Sequence, residues 1–165
     1  MRADLYLGAQ TVENSDGAVT GFIHLSHRGL GLGLSNTSYF ESVPQTEGME
    51  GPTQIRMDMR ALSVLARVLD LGHTEVWLHG GIGESRSTEF ARLAGPLLGA
   101  AVERELSDAL AVEGSARHFR LEHDVNATEL RVSLKASVLT VGYRSLQFNV
   151  GPPLHGPEAG LTLRF

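Results

Sequence analysis

Segments of about ten residues in which apolar and polar side chains alternate recur along this 165-residue chain. The segment IRMDMR (55–60) alternates most strictly, and GLGLGL (29–34) and the C-terminal AGLTLRF (159–165) follow the same rule. Side chains of a β-strand point alternately to its two faces, so each segment predicts a strand with one apolar and one polar face. A chain built from many such strands in series needs an apolar environment for one face of each.

Composition excludes several classes of protein. No apolar run approaches the roughly 20 residues that a membrane-spanning helix needs. The chain has no cysteine, so disulfides and thiolate chemistry are excluded, and its formal net charge of −5 argues against nucleic acid as a partner. The N-terminal MRADLYLGAQ lacks the apolar core of a secretory signal, which predicts either an intracellular protein or a mature sequence preceded by an added methionine.

The alternating segments number ten, and eight is the alternative if two of the short ones are loops. Near Ser137 the alternation changes phase, which predicts a tight turn between two strands. Long polar connections alternate with very short ones: the long ones are ENSDGA, SVPQTEGMEGPT, SRSTEFAR, EHDVNA and VGPPLHGPE, and the short ones lie near HRG, DLGH, SD and Ala136–Ser137. Long and short connections at opposite ends are typical of a transmembrane β-barrel.

Two segments also fit a helix. Residues 61–72 place leucine and valine at helical spacing, and residues 87–106 begin with a pattern like a capping box. Pro96 and the glycines beside it weaken the second helix, since they would lie in its middle. A soluble α+β domain is therefore kept as an alternative, and the conformation of residues 61–69 is left open.

The preferred prediction is an all-β fold: one antiparallel up-and-down transmembrane β-barrel domain spanning residues 1–165. Several stretches resemble the small outer-membrane β-barrel proteins of Gram-negative bacteria. These are LLGAAVERELSDALAVEGSARHF, with two strands joined by a Ser-Asp turn, the glycine-rich VLDLGHTEVWLHGGIGES, and the terminal GPEAGLTLRF, which closes on an aromatic residue. The resemblance runs through most of the chain.

This resemblance implies short periplasmic turns, longer external loops, and a location in the bacterial outer membrane among its lipids. In that family the assembly machinery of the outer membrane generally reads the C-terminal strand. By resemblance, that role falls on Leu161, Leu163 and Phe165.

If the apolar faces contact lipid, the polar faces line the lumen. Charges of opposite sign can pair across a narrow barrel, whereas unpaired charges would be heavily penalised by desolvation. We therefore predict a filled polar interior without a wide water channel. The predicted lumen charge network consists of Asp4, Arg28, Arg56, Asp58, Arg60, Glu75, Glu103, Glu113, Arg117, Arg131, Lys135, Arg144 and Arg164; Glu105 and Glu129 are further inward candidates.

Catalysis is the less favoured interpretation. His24 and Ser26 lie two apart on one strand face, and a carboxylate such as Glu75 or Glu113 could complete a serine–histidine–acid arrangement. Structural hydrogen bonding explains the same pair more simply. HGGIGES lacks the lysine and spacing of a phosphate-binding loop. The histidines show no ligand spacing, so no metal or cofactor is predicted.

The predicted function is a non-enzymatic outer-membrane barrel that anchors the envelope or presents its loops to a partner. The loops SVPQTEGMEGPT and VGPPLHGPE are the best candidates for such contacts. A small pore or transporter for polar solutes is the alternative within the same fold. The sequence does not choose a ligand for either.

Overall fold

The computed structural model describes residues 1–13, 16–43, 53–88 and 92–165. These residues form ten strands, each long enough to cross a bilayer when tilted. The strands are β1 (Arg2–Gln10), β2 (Gly17–His27), β3 (Leu30–Val43), β4 (Thr53–Asp70), β5 (Thr74–Ser87), β6 (Leu93–Ser107), β7 (Leu110–Arg120), β8 (Asn126–Ala136), β9 (Leu139–Phe148) and β10 (Leu154–Arg164).

Each strand pairs antiparallel with its neighbours in sequence, and β1 pairs with β10 to close a barrel. Closure leaves no strand edge in the barrel unpaired. The ten-strand, antiparallel, up-and-down barrel expected from the sequence is confirmed. Among the described residues, no helix is long and apolar enough to cross a membrane.

The connections separate by length to opposite ends of the barrel. Those after β2, β4, β6 and β8 have two or three residues and lie at the end that also holds both termini, here called the turn end. Those after the odd-numbered strands have five to nine residues and lie at the opposite, loop end. Ser137 has a φ of 55°, so the predicted tight turn near this residue is confirmed. Most of SVPQTEGMEGPT lies outside the described residues.

Neither helical alternative is correct. Residues 61–69 belong to β4, which pairs with β3 on one side and β5 on the other. Residues 93–107 form β6. In both segments, neighbouring strands supply partners for the backbone groups, and this tertiary pairing overrides local helical spacing.

An apolar belt surrounds the outside of the barrel. Its members point away from the lumen and are 38–70% exposed, as expected for side chains that contact lipid rather than water. The belt comprises Leu5, Leu7, Ile23, Leu25, Leu32, Leu34, Leu62, Val64, Leu78, Ile82, Leu98, Val102, Leu130, Val132, Leu134, Val141, Leu161 and Leu163. The outward apolar side chains of β2 run from Val19 to Leu25, and with a rise of about 3.3 Å per residue and a strand tilt of about 40° they cover about 15 Å of height.

Toward the loop end, polar side chains replace the belt on the outside. The first outward polar residue beyond the belt is Asn36 on β3, Arg60 on β4 and Glu84 on β5. Arg60 is the register partner of Asn36 on one side and of Glu84 on the other. His118 on β7 and Thr128 on β8 form the corresponding pair on the other side of the barrel. The barrel wall therefore extends past its apolar belt at the loop end.

The β4 strand shows what this change means for the alternating pattern. Met59 is 4% exposed and points into the barrel, whereas Arg56, Asp58 and Arg60 lie on the outer face in line with Leu62. The expectation that Met57 and Met59 face lipid and that the three charged residues face the lumen is wrong. Beyond the belt, water contacts the outer wall and the interior excludes it, so apolar side chains are found on the inner face and charged ones on the outer face.

A hydrophobic cluster fills the interior at the loop end, and we call it the loop-end plug. Phe119 and Leu97 are each 1% exposed, and Leu146 is fully buried. The plug consists of Val12, Ala18, Tyr39, Met59, Ala61, Leu97, Phe119, Leu121, Ala127 and Leu146, with Met57, Leu93, Val125, Phe148 and Leu154 packed against it. The predicted interior was entirely polar, so the plug is a correction.

Candidate functional site

Ion pairs occupy the lumen from the turn end to the loop-end plug. At the turn end, Glu103 accepts hydrogen bonds from Arg2 at 2.9 Å, Arg164 at 2.8 Å and Lys135 at 2.6 Å. Asp4 accepts from the same two arginines at 2.9 and 2.8 Å. This arrangement joins β1, β6, β8 and β10 across the interior.

The middle of the network is the most deeply buried. Arg131, whose side chain is 4% exposed, donates to Glu158 and lies 3.1 Å from Glu113. Its guanidinium also stacks over the ring of Tyr6, 4.6 Å from the ring centroid. Lys135 lies 2.5 Å from Glu113, which connects this layer to the turn end. Each buried charge here has an opposite charge beside it, as a dry interior requires.

Two arginines form the layer next to the plug. Arg144 lies 3.3 Å from Glu158 and donates to the hydroxyls of Thr20 at 2.5 Å and Thr37 at 2.8 Å. Arg117 pairs with Glu129 at 2.5 Å. Its guanidinium lies 5.9 Å from the ring centroid of Phe119, where polar contacts give way to the plug. The lumen is thus divided into a charged part and an apolar part.

Most of the residues predicted for the network do lie in the lumen. The structure brings together Asp4, Glu75, Glu103, Glu113, Arg117, Arg131, Lys135, Arg144 and Arg164. It places Arg56, Asp58 and Arg60 on the outer wall instead. Arg28 is exposed in the two-residue turn after β2, with a φ of 49°, because the strand ends one residue before it.

Sequence analysis missed two members of the network. Arg2 bonds three carboxylates, from Asp4, Glu75 and Glu103. Glu158 holds Arg131 and Arg144. Glu158 shares its strand face with Arg164, so the alternation of AGLTLRF extended backwards would have found it.

Arg67 and Arg104, which the sequence alternation assigns to the apolar face of their strands, are accommodated in two different ways. Arg67 points inward, pairs with Glu75 at 2.5 Å and Asp70 at 2.8 Å, and lies beside a bulge in β4. Arg104 is exposed on the outer face close to the turn end, where its side chain can reach beyond the apolar belt.

The free space between the charged layers of the lumen is small. A cavity of about 110 Å³ lies between the charged layers and is lined by residues that include Asp4, His24, Trp77, His79 and Arg131. A binding pocket for a drug-sized molecule has about 300–1,000 Å³. The cavity can therefore hold a few water molecules, and it has no room for a large solute.

His24 and Ser26 both point into this lumen, on the inward face of β2. The carboxylate beside His24 is Asp4, at 4.0 Å, rather than Glu75 or Glu113. In the described part of the chain, no hydrogen bond joins Ser26 to His24. Geometry for nucleophilic catalysis is thus not assembled at this pair. No group of three or more potential metal ligands occurs among the described residues.

The last strand closes the barrel. Backbone hydrogen bonds of 3.0 and 2.9 Å join Ala3 and Phe165 in both directions. Leu161, Leu163 and Phe165 are on the outer face and are 52%, 41% and 76% exposed. These three side chains are accessible at the turn end, beside the N-terminus.

No protein-family model matches the sequence, and no curated protein does. Several solved structures are similar to this chain over nearly its whole length. The attachment invasion locus protein Ail of Yersinia pestis is 10% identical, with 98% of this chain and 96% of that chain covered and a TM-score of 0.42. A major outer membrane protein from Thermus thermophilus is 14% identical, with 99% of each chain covered and a TM-score of 0.48.

A third similar structure is the KdgM porin, solved in complex with disordered oligogalacturonate. It is 9% identical, with 100% of this chain and 99% of that chain covered and a TM-score of 0.39. At these identities the likeness concerns the fold alone. The fold implied by the resemblance to small outer-membrane β-barrels is confirmed by the closed ten-strand barrel itself.

Proposed function

We propose that this protein is a non-conducting barrel of the bacterial outer membrane that anchors its loop end at the outer surface. The observation that carries the proposal is the loop-end plug. A channel needs a continuous path of water. Leu97 and Phe119 are each 1% exposed and Leu146 is fully buried, so the plug leaves no such path. The ion-pair network fills the other half of the same lumen.

The outside of the barrel supports the membrane location. The apolar belt surrounds the barrel, as the outward apolar band of outer-membrane barrels does. In such barrels the short connections face the periplasm and the longer ones face outward. The loop end, with its polar outer wall, is accordingly the end that faces the cell exterior.

A barrel of this kind contributes a surface rather than a path. Its interior contacts make the barrel rigid, since the network connects strands on opposite sides of the lumen. The loops and the polar wall beyond the belt are the parts free to meet a partner. No enzymatic role is proposed, because His24 and Ser26 lie inside the filled lumen without a catalytic hydrogen bond between them.

Conductance in planar lipid bilayers tests this function. The protein, refolded from urea into micelles and reconstituted, is expected to give no single-channel events. A sixteen-stranded porin in the same bilayer provides the positive control, since porins of that size hold an aqueous channel. Discrete, reproducible channel events from the folded barrel would contradict the proposal and favour a pore for polar solutes. Folding without detergent would contradict the membrane location.

We also propose that the assembly machinery of the outer membrane recognises the C-terminal strand through Phe165. Replacing Phe165 with alanine is expected to reduce the level of the barrel in the outer membrane of expressing cells several-fold. The Leu139→Ala variant is a suitable control, because Leu139 is also an exposed, outward residue near the turn end. Refolding of both variants in micelles should be unchanged. Equal outer-membrane levels of the two would argue against a recognition role.

A further inference from the structure

Four arginines gather on the outer wall of the barrel beyond the apolar belt, and we call them the arginine patch. Arg56 and Arg60 lie on the outer face of β4, Arg86 lies on the outer face of β5, and Arg92 precedes β6. The side chains of Arg56, Arg60 and Arg92 are 49%, 48% and 67% exposed. The patch covers one side of the wall, whereas β8 and β9 carry uncharged polar residues at this level.

The patch begins at the level of the lipid headgroups, just beyond the edge of the hydrocarbon layer. Leu62 is the last belt residue of β4, and Arg60 is two residues further toward the loop end. On a strand tilted by about 40°, two residues rise about 5 Å. The headgroup region of a bilayer extends about 5–7 Å beyond the hydrocarbon on each side. The guanidinium of Arg60 therefore lies at headgroup level. By the same rise, the Cα atom of Arg86 lies about 10 Å beyond Ile82 and that of Arg56 about 15 Å beyond Leu62, and the long side chain of Arg86 can reach back to the headgroups.

Neighbouring side chains hold two of these guanidinium groups in place. Asp58, only 7% exposed, lies 2.8 Å from Arg56 and 3.6 Å from Arg60. Ser38 donates a hydrogen bond to Asp58 at 2.6 Å, and Arg60 donates to Asn36 at 3.2 Å. The guanidinium of Arg56 also lies 5.8 Å from the ring centroid of Phe40. Both guanidinium groups belong to side chains that are about half exposed on the outer wall.

Positive charge exceeds negative charge in the described part of the patch. The carboxylates on the same wall are Asp58 and Glu84, and Glu84 pairs with Arg92 at 2.8 Å. Arg86 is opposite Asp58 in the β4–β5 register. The planar guanidinium matches the geometry of a phosphate and can bind it through two hydrogen bonds. Exposed arginines that exceed the carboxylates in number, beginning with Arg60 at headgroup level, thus suit a phosphorylated lipid.

We propose that the arginine patch binds the phosphate groups of a phosphorylated lipid in the outer leaflet. The proposal rests on the proposed function, because a headgroup reaches the patch only when the belt is in a membrane. The lipid contacts Arg60 at the edge of the belt and Arg86 above it, with Arg56 and Arg92 further toward the loop end. Its acyl chains then lie along the outward side chains of Leu62 and Ile82.

Native mass spectrometry of the refolded barrel in neutral detergent can measure this binding. The probe is lipid A with two phosphates, and dephosphorylated lipid A is the comparison lipid. Replacing Arg60 and Arg86 with glutamine is expected to weaken binding of lipid A about tenfold, since two charge-assisted contacts are lost. The matched control replaces Arg28 and Arg104 with glutamine. These two arginines are exposed near the turn end, so the charge change is the same, and we expect less than a twofold effect.

Several outcomes would overturn the proposal. One is an equal loss of affinity in both double variants, and another is equal binding of the two lipids by the unchanged protein. Inorganic phosphate alone is expected to give no bound species; saturation by phosphate at the lipid concentrations used would assign the patch to the free ion. If the Arg60 and Arg86 variant does not refold, replacing Arg56 and Arg92 with glutamine tests the same patch.

This test is separable from that of the proposed function. Both double variants should keep the heat-modifiable gel shift of a folded barrel and remain silent in planar bilayers. Equal binding of lipid A and dephosphorylated lipid A by a folded barrel without channel events would contradict the lipid site alone. Channel events or folding without detergent would contradict the proposed function as well.

Discussion

Replacing Glu158 with alanine is expected to lower the free energy of unfolding by about 3–5 kcal/mol, the usual cost of leaving a buried charge without its partner. The Glu158 side chain is 1% exposed and lies between Arg131 and Arg144, which are 4% and 1% exposed. Alanine leaves the Arg144 guanidinium with the hydroxyls of Thr20 and Thr37 as its hydrogen-bond partners. Urea unfolding in micelles, followed by circular dichroism and by the heat-modifiable gel shift, measures the change.

Glu105 offers a matched control for this substitution. Its side chain is 49% exposed and lies 3.9 Å from Arg164 near the turn end. The same Glu→Ala change at this position should cost less than about 1 kcal/mol, as is usual for exposed ion pairs. A Glu158→Ala variant no less stable than Glu105→Ala would show that the lumen network is not a source of stability.

A second large effect is expected in the loop-end plug. Leu97 is 1% exposed and contributes to the plug, so Leu97→Ala should cost about 2–5 kcal/mol through lost burial and the cavity left behind. The adjacent Leu98 is 70% exposed on the outer face. Leu98→Ala leaves no cavity, because lipid or detergent fills the space, and should cost less than about 2 kcal/mol. The same unfolding measurement compares the two.

The comparison of these neighbours tests the division between a packed inside and a lipid-facing outside. If Leu98→Ala were the more damaging change, the outer face would be a packed protein interface and the belt assignment would be wrong. If both changes were small, the plug would be loosely packed and the case for a closed lumen would weaken.

Local alternation was sufficient to predict most of the fold. In β1 and β8 the leucines and valines fall on the outer face as expected, and so do Leu30, Leu32, Leu34, Leu161 and Leu163, because the strand period of two is independent of what surrounds the strand. Connection lengths are also a local property, and they placed the turns and loops at opposite ends. The charged residues of the turn-end half, such as Glu103 and Lys135, followed from the same parity.

The candidate site was predicted less completely. Arg2 and Glu158 were missed because the alternation near the chain ends was not extended to them, although their strand face carries Asp4 and Arg164. Arg28 was misplaced because a two-residue turn begins at that position. The exact partners within the network depend on which strands face each other across the lumen, and no local pattern contains that information.

The sequence by itself determined the strands, their two faces and the alternation of short and long connections, because each follows from residues adjacent in the chain. Only the tertiary structure decided which face is inside. In β4 the side chains alternate between the two faces without a break from Arg56 to Val64, but the apolar residues change face between Ala61 and Leu62, so the outward side chains are charged above the belt and apolar within it. The physical reason is that the surroundings change along the barrel axis: lipid surrounds the belt and water surrounds the wall beyond it.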